Sequence, residues 1–327
     1  MGPPPPLHTL KKPPEQEVSP GDVVSVDTTE VMFPVTVRDD SGRLINDLTR
    51  NDFRVFEDNS LQPLSDLALR QVPVDVILMV DASSSVANNL DDFRRAAKGF
   101  AERLAADDRI SLIKFDDRIE LLQDWTKSRF QLQRALNRIE AGMYTRFNDA
   151  LLLASKEQFG TTVGKSRRAV IVLSDGIDNG QGTTSLEAAL QAMIRSQVTA
   201  YIVSNTEISR AAKRAQLDSL LGGTDASVRF NQVQIDSLRL GLQALDRSED
   251  NLEQLARATG GRLYKPATFD ALESTYAEVA DELRHQYALY FTPLNKRRDG
   301  SFRRVRVETA NPAYHPQTRV GYFAPKS

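Results

Sequence analysis

The sequence contains no cysteine and only three histidines, His8, His285 and His315, scattered over 327 residues. Without cysteine there is no disulfide, no thiolate metal site, no iron–sulfur cluster and no cysteine nucleophile. Three distant histidines argue against a multi-histidine metal centre or a Ser-His-Asp triad. Long apolar runs are missing too. The longest are five residues, as at Val76 to Val80, which ends at an aspartate, against the ~20 needed to cross a bilayer. Met1-Gly2 leads straight into Pro3–Pro6, so no apolar core of a secretory leader is read there. That fits either a cytoplasmic protein or a mature form whose leader has been removed. Net charge is nearly absent: 42 Lys and Arg stand against 44 Asp and Glu, giving −2. Such a chain has no broad field to attract nucleic acid or an anionic membrane. Its chemistry must rest on carboxylates, hydroxyls, amides, lysine and arginine.

What is present is organised in blocks. The length suggests roughly two domains at ~150 residues each. Residues 1–22 hold seven of the fifteen prolines and read as an extended or disordered arm. Residues 23–72 read as β, with Val31, Phe33, Val35 and Val37 alternating before the Asp39-Asp40-Ser41-Gly42 turn. The far end also reads as β, from Phe302 to Glu308 and again near Phe323. Neither end has enough strands to close a sandwich alone. The expectation is one discontinuous β domain, 23–72 with 292–327. The basic stretch around Lys296-Arg297-Arg298, Arg303, Arg304 and Arg306 reads as a solvated strand face, not a nucleic-acid surface.

Residues 73–291 switch to alternating strand and helix. Buried-strand runs stand at 74–80, 109–115, 169–173 and 198–203, with a short one at Leu263-Tyr264. The tight Asp116-Asp117-Arg118 turn makes the strand at 119–125 antiparallel to its predecessor. Helical stripes fall between these runs, the clearest at Leu186, Ala189, Leu190, Met193 and Ile194. The expected fold class is α/β, a doubly wound, mostly parallel six-stranded sheet with one antiparallel strand. Residues 205–249 interrupt the rhythm and read as an insertion between a strand and the helix near Leu252, where loops are usually ~2–6 residues.

Open α/β sheets bind ligands at the carboxyl ends of their strands. One apolar run ends in Asp81-Ala82-Ser83-Ser84-Ser85 and another in Ser174-Asp175-Gly176; Gly142-Met143-Tyr144-Thr145 lies just before a helix. Asp81, Ser83 and Ser85 at i, i+2, i+4 can point to one centre from a curved loop, joined by Thr145 and Asp175. This constellation resembles the von Willebrand factor A (vWA) domain with its metal-ion-dependent adhesion site, a DxSxS segment, a distant Thr and a distant Asp. The resemblance covers about residues 73–291. The flanking β segments, including Leu48 to Asp58 and Arg319 to Phe323, resemble a group of bacterial vWA-related proteins, many of them acidobacterial.

The resemblance implies hydroxyls that bind a cation directly and aspartates that bind it directly or through water. It implies one open coordination position, filled by an acidic residue of a partner protein. It points to an adhesion module that is extracellular or held in the cell envelope. Oxygen donors without imidazole or thiolate favour a hard ion, Mg²⁺ or Mn²⁺, with Ca²⁺ possible. Asp178 and Asn179 are candidates for support behind the ligands. Asp149 reads instead as a first-turn helix carboxylate. Catalysis is poorly provided for. GxGxxG and GxxxxGK[ST] are absent, and a DxD phosphatase would need a carboxylate where Ser83 stands. The alternatives are a structural or assembly subunit without metal dependence, and a metal-dependent hydrolase.

Overall fold

The computed structural model describes residues 30–69, 72–83, 89–160, 166–178 and 182–326. The chain begins with β1 (Val31–Asp39), β2 (Phe53–Glu57), β3 (Ser60–Gln62) and β4 (Leu64–Leu69). There follow β5 (Val74–Asp81), α1 (Leu90–Arg103), β6 (Arg109–Phe115), β7 (Ile119–Thr126), α2 (Arg129–Leu136) and α3 (Phe147–Leu153). Then come β8 (Arg167–Leu173), α4 (Leu186–Arg195), β9 (Val198–Val203), α5 (Thr206–Leu221), α6 (Asp225–Phe230) and α7 (Gln232–Ala258). The chain closes with β10 (Leu263–Tyr264), α8 (Leu272–Arg284), β11 (Tyr287–Phe291), β12 (Phe302–Thr309), β13 (Tyr314–Gln317) and β14 (Gly321–Phe323).

Six strands form one sheet in the order β10-β9-β8-β5-β6-β7. All neighbours are parallel except β6 and β7, which are joined by the short turn after Phe115. Every residue of β5 and β8 is buried, because helices cover both faces of the sheet. On β5 the period of two divides the side chains. Val76, Leu78 and Val80 pack with α1, α2 and α8; Ile77 and Met79 pack with α3, α4 and the end of α7. The α/β class with one antiparallel strand is the observed one.

The two ends of the chain build a second layer pair. One antiparallel sheet runs β13-β1-β11-β4, the other β14-β12-β2-β3. Their inner faces share a core of Phe33, Val35, Val55, Leu289, Phe291 and Tyr322. Tyr287–Phe291 falls inside the range 73–291, yet it pairs as a strand with β1 and β4, in a sheet separate from the six-stranded one. The basic strand β12 is not solvated throughout. Arg304 and Arg306 are exposed, whereas Arg303 sits on the inner face with Val305 and is buried against Glu57 and the Tyr322 hydroxyl. The proline-rich arm 1–22 lies outside the described residues.

The stretch 205–249 holds α5 and the first part of α7 as an antiparallel pair, linked by the short α6. Thr206 and Arg210 of α5 both bond Glu249 of α7, and Arg210 also pairs with Glu207 and Asp246. No break occurs at residue 249. The 27 residues of α7 continue until Leu252, Leu255 and Ala256 dock on the sheet. At ~1.5 Å per residue that helix is roughly 40 Å long, so its first half projects beyond the sheet's carboxyl edge.

Candidate functional site

The carboxyl ends of β5 and β8 lie side by side, with Val80 opposite Leu173 in register. Asp81 is the last residue of β5 and shares the face of Ile77 and Met79. Its Oδ2 accepts the Ser174 hydroxyl at 2.6 Å, and its Oδ1 accepts the Ser83 backbone N–H at 2.9 Å. The second bond is an Asx turn, which bends the chain as it leaves the strand. Asp175 follows Ser174, and its Oδ1 accepts the Ile177 N–H at 3.1 Å. The Ser174 hydroxyl also accepts the Gly176 N–H at 2.9 Å. Gly176 has φ +69°, and a Cβ there would collide with Leu252 and Ser248 of α7. Only glycine fits so close a left-handed turn without strain.

Thr145 is buried as well. Its loop is tied down from both sides. The Gly142 N–H donates to the Ala82 carbonyl at 2.7 Å, and the Met143 N–H donates to Asp117. Gly142 lies against the buried Asp116 carboxylate, which Lys114 neutralises at 2.7 Å. The loop therefore rests on the ends of both β5 and β6. Asp178 accepts the Asn148 N–H at 3.2 Å and so holds the start of α3, one turn beyond Thr145. Asp149 is committed elsewhere: it accepts from Arg146 and from the Thr184 N–H at 2.9 Å. Ser85 and Asn179 lie outside the described residues.

Electrostatics set the character of this edge. Burial pushes the Asp81 carboxyl up to about 7, and the Asp175 charge adds to the rise; the hydrogen bonds from Ser174 and Ser83 oppose it. Burial raises Asp175 too, against the Ile177 N–H and the Lys213 charge. Two like charges brought together out of water favour a proton or a bound cation. Among the described residues no cluster of three or more His, Asp or Glu could hold a metal ion. The donor set at this edge is of another kind: two carboxylates with the buried hydroxyls of Ser83 and Thr145. That mixture fits a hard cation that takes oxygen ligands and keeps some water.

Sequence reasoning overlooked the support from α7. The Ser248 hydroxyl donates to the Asp175 carbonyl at 2.5 Å. Its one trace in the sequence is a small polar residue between Leu245 and Leu252 on the buried stripe.

A profile of the von Willebrand factor type A domain matches residues 76–177. Over these residues the chain is similar to vWA domains, and its six-stranded sheet has the vWA-like α/β arrangement. The matched segment runs from the middle of β5 to the loop after Asp175, and vWA domains are often protein-interaction modules. An uncharacterized protein of Synechocystis is 30% identical over 112 residues, 33% of this chain and 26% of that protein. The chain thus spans about a quarter of the curated relative it matches. Among solved structures, proximal thread matrix protein 1 from the mussel byssus aligns at TM-score 0.48 and 16% identity, over 68% of this chain and 49% of that one. A further structure of the mussel protein has zinc in its metal-ion-dependent adhesion motif. A vWA protein from Catenulispora acidiphila aligns at TM-score 0.48 and 13% identity, over 85% of this chain and 64% of that one.

Proposed function

We propose that the carboxyl edge of this vWA domain is a metal-dependent adhesion site. Asp81, Ser83, Ser85, Thr145 and Asp175 would hold one divalent cation, with Asp178 and Asn179 supporting them from behind. The observation that carries the reading is the pair of buried carboxylates, Asp81 and Asp175, each pushed towards its neutral form. A cation relieves the repulsion that otherwise holds a proton there. Mg²⁺ or Mn²⁺ suits the oxygen donors, and Ca²⁺ is acceptable to them. When bound, the ion offers an open position to an acidic side chain of a partner protein.

The protein residues have definite tasks in this scheme. Ser174 and the Ser83 N–H orient the Asp81 carboxylate. Ser248 fixes the Asp175 backbone from the far side of the loop. Gly142 brings the Thr145 loop against β5. The role is binding, not catalysis, and the place of action that follows from the vWA resemblance is the cell envelope or the extracellular space. No helix among the described residues is long and apolar enough to cross a membrane.

The test is affinity capture from a native extract with the whole chain as bait, in Mg²⁺ and in EDTA. The reading predicts a protein retained in Mg²⁺ and released by EDTA, and lost with Asp81→Ala bait. Partners retained equally in EDTA and by Asp81→Ala would favour the metal-independent assembly role.

A further inference from the structure

The helical insertion carries two cations that make no ion pair among the described residues, Lys213 on α5 and Arg247 on α7. Their neighbours are otherwise engaged. Arg210 and Lys265 are neutralised by Glu207, Asp246 and Glu249. Lys213 is half-buried, and its stem lies across Gly241 in the middle of α7. Its Cδ, Cε and Nζ each stand 3.4 Å from where a Cβ of residue 241 would be. Glycine inside a helix is less stable than alanine, and here it gives Lys213 room to lie flat on α7. The Lys213 charge is felt at the Asp175 carboxylate. Arg247 lines a cleft of about 250 Å³ between α7 and the loop after Asp175, with Asn148, Ile177, Asp178, Ser248 and Asn251. The carboxylate in that cleft, Asp178, already accepts the Asn148 N–H.

The other flank of the edge is apolar. Met143 and Tyr144 immediately precede the buried Thr145 and are exposed, at 69% and 44%. The Met143 N–H anchors them over the end of β6 by bonding Asp117. The strand order β9-β8-β5-β6 sets the geometry. The insertion leaves β9, Asp175 follows β8, Asp81 ends β5, and Met143 sits over β6. The two carboxylates therefore lie between a cationic wall and an apolar one.

We propose that this rim reads a partner segment through three contacts. An acidic residue meets the cation site between Asp81 and Asp175. A second acidic residue meets Lys213 and Arg247. An apolar side chain on the opposite side meets Met143 and Tyr144. The inference rests on the metal-site reading and extends it to the kind of partner: a segment with two acidic residues and an apolar residue beyond the first. Met and Tyr suit the apolar contact, since both bury large area with few constraints on shape. The two cations discriminate against neutral or basic segments more than they add affinity.

The experiment uses the whole chain and labelled nonapeptides on a Gly-Ser background, read by fluorescence anisotropy in saturating Mg²⁺. One peptide carries a single Asp. Others add a Glu three residues to one side, a Leu three residues to the other, or both, in each of the two chain orders. The doubly extended peptide should bind about tenfold or more tighter than the single Asp, which is 1.4 kcal/mol. Lys213→Gln with Arg247→Gln should erase the gain from Glu and leave the gain from Leu. Titration with Mg²⁺ alone should show the same or tighter metal binding in that variant, since a repelling charge has been removed. Equal binding of all the peptides, or a Glu gain that survives the double substitution, overturns the inference while Mg²⁺ still binds. Failure of the wild-type chain to take up Mg²⁺ overturns the metal site itself, and this inference with it.

Discussion

Ser248, in the second half of a 27-residue helix, donates its hydroxyl to the backbone carbonyl of Asp175 at 2.5 Å. The bond joins the helical insertion to the loop that holds one of the two buried carboxylates. Two helical turns of α7 lie between Ser248 and Ala256, and over that length the helix passes from the rim of the site into the core. The insertion and the candidate site are therefore one mechanical unit at this point.

Two substitutions probe that joint. Ser248→Ala leaves a buried carbonyl without its donor and should cost about 1–3 kcal/mol. Gly176→Ala adds a Cβ at positive φ against Leu252 and Ser248 and should cost about 2–4 kcal/mol. Both should weaken Mg²⁺ uptake, because the Asp175 loop loses its fixed position. Urea unfolding measures the first effect and metal titration the second. A Gly176→Ala protein with unchanged stability would refute the close packing of this turn.

Stability should depend on pH through Asp81. Its carboxyl titrates at about 7 in the folded chain, above the 3.8 of the free side chain. Between those values the folded state holds a proton that the unfolded state has released. The stabilisation linked to Asp81 is complete below about pH 4 and is lost as pH rises through about 7. Other carboxylates, Asp149 and Glu249 among them, are lowered in the folded chain and act in the opposite sense. The comparison is therefore wild type against Asp81→Asn, in EDTA, by urea unfolding from pH 5 to 8. The wild-type advantage should shrink as pH rises. Saturating Mg²⁺ should restore it at pH 8, where the ion takes the place of the proton.

The β sandwich is locked to the unit built on the six-stranded sheet by a buried charge. Glu282 of α8 accepts from Arg38 of β1 at 2.5 Å and from the Tyr264 hydroxyl at 2.8 Å. Glu282→Gln keeps the shape and removes the charge opposite Arg38. Breaking a buried pair costs about 3–5 kcal/mol, and the partial exposure of Arg38 brings the expectation to about 2 kcal/mol. Equilibrium unfolding should show the loss. Arg38→Met with Glu282→Leu should recover part of it.

Much of the fold was legible because burial on both faces leaves an unmistakable mark. The runs ending at Val80, Leu173 and Val203 are apolar at nearly every position, and each stands where a sheet strand stands. The sheet-edge position of the candidates Asp81, Ser83 and Asp175 was legible for the same reason, since a polar residue directly after such a run must sit at the sheet's edge, whereas Thr145 follows no strand and was placed only by the resemblance. Asp81, Ser83, Thr145 and Asp175 are all buried there. The long helix was harder to see. Val233 and Leu240 are exposed, and Gly241 interrupts the pattern, so α7 does not show one apolar stripe. Strand β13 contains Pro316 and pairs with β1 alone, so no alternation marks it. Arg303 read as solvated because its neighbours Arg304 and Arg306 are; its partner Glu57 lies 246 residues away in sequence. Ser248 was invisible for a related reason, since it acts on a loop 73 residues distant.

Isothermal titration of the metal-free chain with Mg²⁺ at pH 7.5 decides whether Asp81 and Asp175 share a cation. The predicted result is one ion bound per chain with proton release, no binding by Asp81→Ala or Asp175→Ala, and unaltered binding by Asp250→Ala on the outer face of α7. Parallel titrations with Mn²⁺, Ca²⁺ and Zn²⁺ rank the ions. No saturable heat from Mg²⁺ or Mn²⁺ in the wild-type chain, or binding that persists in both aspartate variants, would contradict the assignment.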